Sequence, residues 1–511
     1  MENQNNLKDN YFIFKKILLI LILIFSVIQL YIHPDNFLDK FIIILGINII
    51  SIIIFNTLIN KEIIQKYFFQ GIVVIVINFF YFINPLFFKT IFFEDIFTNL
   101  ETPLETFGIA FLFQLSVYFA FLFYIKKNNE VNKSNLIFRL YSFNFFNLKK
   151  TIFLSFFLIA IRFYLTLFDK GILAFTTFGN IPMKILYGID SFFNIQIILF
   201  SYLFFVKKEI TKKLFITLNL LYIFLLIFFA LSSNGRTIIF EGLSVLILCW
   251  FIFNFNSIKL INKFQTLIFI ILASFFLNFI SNLILDNRSL RYSKTPIDIL
   301  KITINPDKYN EFLIFDTSES PEQYTKSKLL NRFTPIKYLD KNHNESKLLT
   351  TSDIIDYKKF SFNKNLGILP QNLINIFIPD YKKDFFFKTN GSFIEQKVNL
   401  RFSGNFNTGS FLVELLILTN SYIFTFILIM ILFLILFILI GKFQIFSNNS
   451  IYLSPLLILL FPRFVYLIGA DGLIGLLNML IRMPIQIIVI YYLLNLVLLN
   501  NNHQNLFIRK L

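Results

Sequence analysis

The sequence predicts an all-α polytopic membrane protein of about 12 transmembrane helices with one large external loop containing short helices. Three observations predict it. The chain of 511 residues is 56% hydrophobic, with a mean hydropathy of +0.69, and soluble domains rarely exceed half apolar residues. Its apolar residues fall into about a dozen blocks, each long enough to cross roughly 30 Å of hydrocarbon. One hydrophilic island, from Asp286 to about Thr408, interrupts them.

Twelve spans are read in order: Ile17–Ile32, Phe41–Leu58, Gly71–Phe88, Phe107–Ile125, Thr151–Phe168, Asp190–Phe205, Leu214–Leu231, Ile238–Phe255, Phe264–Leu285, Ile423–Ile440, Ile451–Leu467 and Leu473–Leu498. The organisation expected is nine spans over 1–285, the loop over 286–409 and three spans over 410–511. The first span lacks a small-residue cleavage site after it and reads as a span, not a cleaved signal peptide. The many Phe residues (73), with abundant Ile, Asn and Lys, have AT-rich codons in common and carry no functional weight.

Alternate connections carry the basic residues: Lys15/Lys16, Lys61/Lys66, Lys126/Lys127 with Lys149/Lys150, Lys207/Lys208/Lys212/Lys213, Lys259/Lys263, Lys442 and Arg509/Lys510. The positive-inside rule then makes both termini cytoplasmic, as an even number of spans also requires. Much of the net charge of +17 is thereby explained by orientation, which leaves little for nucleic acid. The loop Phe92–Glu105 is acidic. The island faces outward and mixes 19 Lys/Arg with 14 Asp/Glu. Ile297, Leu300 and Ile304 form a helical stripe that starts at Thr295-Pro296. Leu329, Leu330 and Phe333 form another, which Pro335 is expected to end.

The lone Cys249 cannot form an internal disulfide. His33, His343 and His503 show no ligand spacing, so no structural zinc site and no cofactor are expected. Phosphate loops, HExxH helices and G-x-S-x-G elbows are absent from the sequence. Two sequon triplets occur, Asn344-Glu345-Ser346 and Asn390-Gly391-Ser392, at chance frequency.

Charges at membrane depth remain, each costing roughly 2.5–3.5 kcal/mol on insertion scales. They are Arg162, Arg236, Glu241, Glu414, Arg463 and Arg482. Most fall toward the outer face, beside Arg288 and Arg291 at the start of the island and Arg401 near its end. Converging guanidinium groups suit a pyrophosphate, because each offers fixed bidentate donors. Structural readings stand beside this one. Arg236 also suits a hairpin cap, Glu241 a partner for Arg236 or Arg162, Arg288 and Arg291 snorkelling to headgroups, and Arg482 a partner for Glu414 or Asp471.

From about Ala230 to Leu498 the chain resembles the Wzy-type O-antigen polymerases, the oligosaccharide repeat-unit polymerases of bacterial surfaces. The features that carry the resemblance come in order. They are the Ser232–Thr237 turn (S-S-N-G-R-T), the large loop with Asn331-Arg332-Phe333-Thr334-Pro335-Ile336, Gly367, and Ile378-Pro379. Thr408-Gly409-Ser410, Glu414 and Pro462-Arg463 follow. The first 230 residues match in topology only. Two departures stand out: Leu418-Thr419-Asn420-Ser421-Tyr422 lacks the family's glycine, and Asn234 replaces a small residue.

The resemblance implies the architecture of the C-type lipid-dependent glycosyltransferases, placed in the bacterial cytoplasmic (inner) membrane. It implies a glycan on undecaprenyl pyrophosphate as substrate, membrane lipids as surroundings, a flippase and a chain-length regulator as partners, and neither nucleotide sugar nor metal. Arg236, with Arg288, Arg291 or Arg463, would hold the pyrophosphate, and Glu414 would orient or deprotonate the acceptor hydroxyl. Arg162, Glu241, Arg332, Arg401 and Arg482 are candidates for glycan contact or support. An O-antigen ligase and a lipid-linked oligosaccharide flippase are the rival readings. Flippases have short loops and near-symmetric halves, and no inverted repeat is visible here.

Overall fold

A computed structural model of the chain describes residues 2–32, 36–127, 147–168, 181–233, 236–253, 334–369, 374–376, 378–379, 390–399, 410–442, 444–447, 450–453, 457–459, 472–486 and 488–489, with 298, 301 and 324 singly. It is the structure of an α-helical membrane protein. Six helical segments among these residues are long and apolar enough to cross a bilayer: Phe37–Leu58, Lys66–Ile91, Pro103–Lys127, Leu186–Phe205, Lys212–Ser232 and Tyr422–Lys442. Each contains one of the spans expected from hydropathy. Ile17–Ile32 falls almost wholly within a further helix, Glu2–Tyr31, and Thr151–Phe168 within Leu148–Phe168. Phe264–Leu285 lies outside the described residues.

The chain divides into two compact units. The first comprises 1–135, 319–452 and 464–482. It contains α1 (Glu2–Tyr31), α2 (Phe37–Leu58), α3 (Lys61–Asn78), α4 (Asn84–Ile91) and α5 (Pro103–Lys127). A single π turn, Phe79–Ile83, joins α3 to α4. Pro85 supplies the reason: it has no N–H for the preceding turn, and the wider turn accommodates the missing bond. α1 packs on α2 and α4, and α3 packs on α5.

The acidic loop after α4 is tied down by lysines at the ends of the apolar blocks. Lys40 is fully buried and pairs with Asp95, while its Nζ donates to the Ile32 carbonyl at 2.7 Å. Lys89, also fully buried, pairs with Glu94 at 2.8 Å. Gln29 holds the same loop at both faces of its amide: Nε2 donates to the Glu94 carbonyl, and Oε1 accepts from Ile96 N. Tyr324 donates to the Ile96 carbonyl at 2.7 Å, and its ring lies under Lys89.

The second unit comprises 136–318, 453–463 and 483–511. Its described helices are α6 (Leu148–Phe168), α7 (Ile181–Asp190), α8 (Ile195–Phe205), α9 (Lys212–Ser232) and α10 (Arg236–Phe253). Thr211 caps α9 by accepting from Leu214 N. Phe193, Tyr222 and Phe229 form an aromatic core for this unit.

In the first unit the island contributes α11 (Ile336–Lys347), α12 (Thr351–Leu366) and α13 (Asn390–Asn399). α12 starts with a complete capping box, Thr350 and Asp353 bonding each other's backbone N–H. Asp353 is held below the usual carboxylate range, first by the Thr350 hydroxyl and then by Lys397. The short α14 (Phe411–Thr419) follows, then α15 (Tyr422–Lys442), which packs along α5. The turn between them, without glycine, is closed by Asn420 in the left-handed conformation (φ 52). Asn tolerates that region far better than most residues.

Pro335 is the N-cap of α11, where its missing N–H leaves no bond unmade. The preceding stripe Leu329/Leu330/Phe333 lies outside the described residues, as does most of Ile297/Leu300/Ile304. The expected span Ile451–Leu467 begins as strand. β1 (Gln444–Ser447) pairs with β2 (Ser450–Leu453) in a two-stranded sheet. Ile445, Phe446, Ile451 and Tyr452 are good strand formers, and hydropathy alone does not separate such a run from a helix. The expected span Leu473–Leu498 opens as α16 (Leu473–Leu477) and a second π turn, Asn478–Arg482.

One island carboxylate locks α11 onto α5. Asp340 is 0% exposed and accepts from Glu101 N at 2.9 Å, Thr102 N at 3.0 Å and Thr106 Oγ1 at 2.9 Å. Glu101 and Thr102 lie just before α5 and Thr106 in its first turn, at the positive end of the helix dipole, which favours an anion. His343 and Lys347, on the next turns of α11, both bond Glu105, and Asn344 reaches Glu101 and Thr102. Asp340→Ala should destabilise the protein by about 3 kcal/mol, in the range for breaking a buried charged contact. Asp340→Asn, which keeps one acceptor, should fall between. Thermal unfolding in detergent checks this, and an unchanged midpoint for Asp340→Ala would refute the locking role.

Candidate functional site

Glu414 lies in the first turn of α14, a helix of nine residues that is too short to span a bilayer. Its side chain is buried, at 1% exposure, and four elements meet around it. Ser361 on α12 donates to Oε1, and Asn365, one turn later, donates to the same oxygen at 3.4 Å. The backbone N–H of Leu473, at the start of α16, donates to Oε2 at 2.5 Å. Lys364, also on α12, donates instead to Asn390 Oδ1 on α13 at 3.0 Å.

The spacing in α12 explains the convergence. Tyr357, Ser361, Lys364 and Asn365 recur at intervals of three and four, so they share one face. That face is buried although it is polar, and the aromatic side chains beside it lock α12 to α13. Phe360 stacks on Phe393 at 4.6 Å between centroids, and Tyr357 meets Phe393 edge-on at 5.7 Å. Gly472 completes the site. A Cβ there would run into Glu414 Oε2 and Asn390 Nδ2, so only glycine lets the backbone of 472–473 approach the carboxylate.

Among the described residues no cation pairs with Glu414 within 4.0 Å. Burial pushes its carboxyl above the ordinary range. The Ser361 hydroxyl, the Leu473 N–H, the charge of Lys364 and the Asn365 amide pull it back in part. The phenol of Tyr357 is pushed up as well, by burial first and by the Glu414 charge second. Three buried polar atoms of this cluster, Tyr357 Oη, Asn365 Oδ1 and Asn390 Nδ2, have no hydrogen-bond partner among the described residues. A carboxylate in such surroundings is a better proton acceptor than one in water.

The remaining candidates are distributed. Arg482 closes the second π turn of the first unit, and its side chain is exposed. In the second unit Arg236 is the first residue of α10, and Glu241, half-buried, lies further along the same helix. Arg162 on α6 pairs with Asp190, the last residue of α7, at 2.5 Å, and lies over the rings of Phe193 and Phe229. Arg288, Arg291, Arg332, Arg401 and Arg463 lie outside the described residues. Asn390, a sequon asparagine, is buried and bonded to Lys364, which closes it to a glycan.

Sequence reasoning missed Ser361, Lys364, Asn365, Asn390 and Gly472 as neighbours of Glu414. Their one signal was the polar stripe of α12, which reads equally well as a solvated face. Among the described residues no three His, Cys, Asp or Glu side chains cluster as metal ligands. No protein-family model, no curated protein and no solved structure matches the chain.

Gly472→Ala should displace Glu414 or Asn390 and destabilise the protein by about 1–3 kcal/mol, as overpacking does. Thermal unfolding in detergent measures it. A variant as stable as the parent would mean that the backbone is not held against the carboxylate.

Proposed function

We propose that the chain is a membrane glycosyltransferase that polymerises undecaprenyl-pyrophosphate-linked oligosaccharide repeat units into surface polysaccharide. The reaction takes place at the outer face of the bacterial cytoplasmic membrane. The observation that carries this reading is the state of Glu414: a carboxylate buried among uncharged donors, with its basicity raised by burial. Among the described residues Glu414 has no arginine partner, whereas Asp190 stands in an ion pair with Arg162. The ordered features from Ser232 to Arg463, with the large loop between apolar blocks, support the same reading.

In the proposed reaction a hydroxyl oxygen of the acceptor glycan attacks the anomeric carbon of the donor. The bond from that carbon to the pyrophosphate oxygen breaks, and the hydroxyl proton passes to Glu414. General-base help of this kind typically gives about 10²–10⁴-fold. Arg236, with Arg288, Arg291 or Arg463, takes the pyrophosphate role, where guanidinium donors stabilise the departing charge.

In a strain lacking its own polymerase, Glu414→Gln and Arg236→Ala should each abolish long polysaccharide ladders while the protein still reaches the membrane. Full-length ladders from either variant would sink its assigned role. Accumulation of undecaprenyl-linked polymer on loss of the gene would point instead to a ligase. The pH dependence has a definite sign. Glu414 must be deprotonated to act, so the rate of transfer should fall as pH drops through a raised carboxylate pKa. Ser361→Ala removes a bond that favours the charged form and should move that limb to higher pH. An unmoved limb in Ser361→Ala would separate Glu414 from the titration.

A further inference from the structure

The outward side of α12 does not match the composition of the island. Ile355 is 50% exposed and Phe362 59%. They lie seven residues apart, hence on one face, with Lys359 between them. Leu348, just before the helix, is 67% exposed. The opposite face is the buried stripe of Tyr357, Ser361 and Lys364, so the outward apolar residues are not needed for that packing. Exposed apolar strips of this kind mark a contact surface.

The level of this strip is set by α5. Lys347, adjacent to Leu348, is paired with Glu105 in the first turn of that membrane-spanning helix. Leu104, in the same turn, is 44% exposed, and Leu115, Phe119 and Phe123 continue the exposed apolar surface of α5 along its length. Leu348 therefore stands where a span enters hydrocarbon. The charges fit a lipid surface. The acidic residues of α12, Asp353 and Asp356, are both engaged by Lys397, at 3.2 and 2.9 Å. Lys358 and Lys359 form no ion pair within 4.0 Å among the described residues.

We infer that α12 lies in the interface of the bilayer at this end of α5, with Ile355 and Phe362 below the headgroups and Lys358 and Lys359 among headgroup phosphates. Helices of this type bury their apolar face about 5–10 Å into the headgroup and acyl boundary. Their lysines snorkel back to the polar layer. The occupant of the strip is lipid, and the inference stands whether or not the transferase reading holds.

Trp250 is the chain's one tryptophan, so a Trp250→Phe background makes reporters at α12 unambiguous. The full-length protein carrying Phe362→Trp or Ile355→Trp would be reconstituted in mixed phosphatidylcholine and phosphatidylglycerol vesicles. Spin-labelled lipids with the label near the headgroup or deep in the acyl chain serve as quenchers, with iodide as the aqueous one. The expected result is blue-shifted emission at both positions, quenched most by the shallow label and little by iodide. Strong iodide quenching without lipid quenching overturns the inference, because the strip then faces water. Protection from both, varying with protein density in the vesicle, overturns it in favour of a contact between copies of the chain.

Discussion

The first unit depends on a capping contact made over a long distance in sequence. The N–H groups of Glu101 and Thr102, just before α5, and the Thr106 hydroxyl in its first turn find their acceptor in Asp340, more than two hundred residues later. The segment leading into a span carries donors that need partners where the chain leaves water, and here a fully buried side chain of the island supplies the acceptor. With that bond made, His343, Asn344 and Lys347 fall against the same turn. α11 in turn packs on α13 and α14, and α12 packs on α13, α14 and α16. The position of the island helices, and so the cluster around Glu414, follows from one carboxylate and one helix end.

Two charges, Arg162 partly buried and Glu414 fully so, are held away from water in two ways. Arg162 is met by a full countercharge, Asp190, and by two aromatic faces, an arrangement that neutralises it and leaves it little chemistry. Glu414 is met by dipoles: a hydroxyl, an amide and a backbone N–H. Dipoles orient the carboxylate without cancelling its charge, and burial keeps its proton affinity high. Of the two, only the second is suited to exchange a proton. The paired lysines Lys40 and Lys89 belong with Arg162.

The spans were legible because length and hydropathy are local properties, and the six described ones fall on the expected blocks. What escaped was what depends on partners. Lys40 and Lys89 sit one residue beyond the apolar blocks and look like ordinary flanking positives, yet both are fully buried. Pro335 caps the helix that follows it, a role that was not read from the sequence. The strand at Ile451 opens an apolar block long enough to read as a span, and hydropathy does not register that its first residues pair with 444–447. Glu414 was legible as an unusual charge on an apolar segment. The polar residues that give it its character come from α12 and α13 and from the backbone of Leu473, none near it in sequence.

The buried lysines also bear on how the protein reaches the membrane. A lysine placed alone in hydrocarbon is costly, roughly 2.5–3.5 kcal/mol on insertion scales. Lys40 stands at the start of α2 and Lys89 near the end of α4, and the carboxylates that neutralise both, Asp95 and Glu94, are adjacent in the following loop. Neither helix reaches its low-energy state until residues 92–98 have been synthesised and folded back. The first three helical passes are thus coupled during biogenesis, and α2 has to wait at the interface, its lysine still hydrated, for a partner made more than fifty residues later.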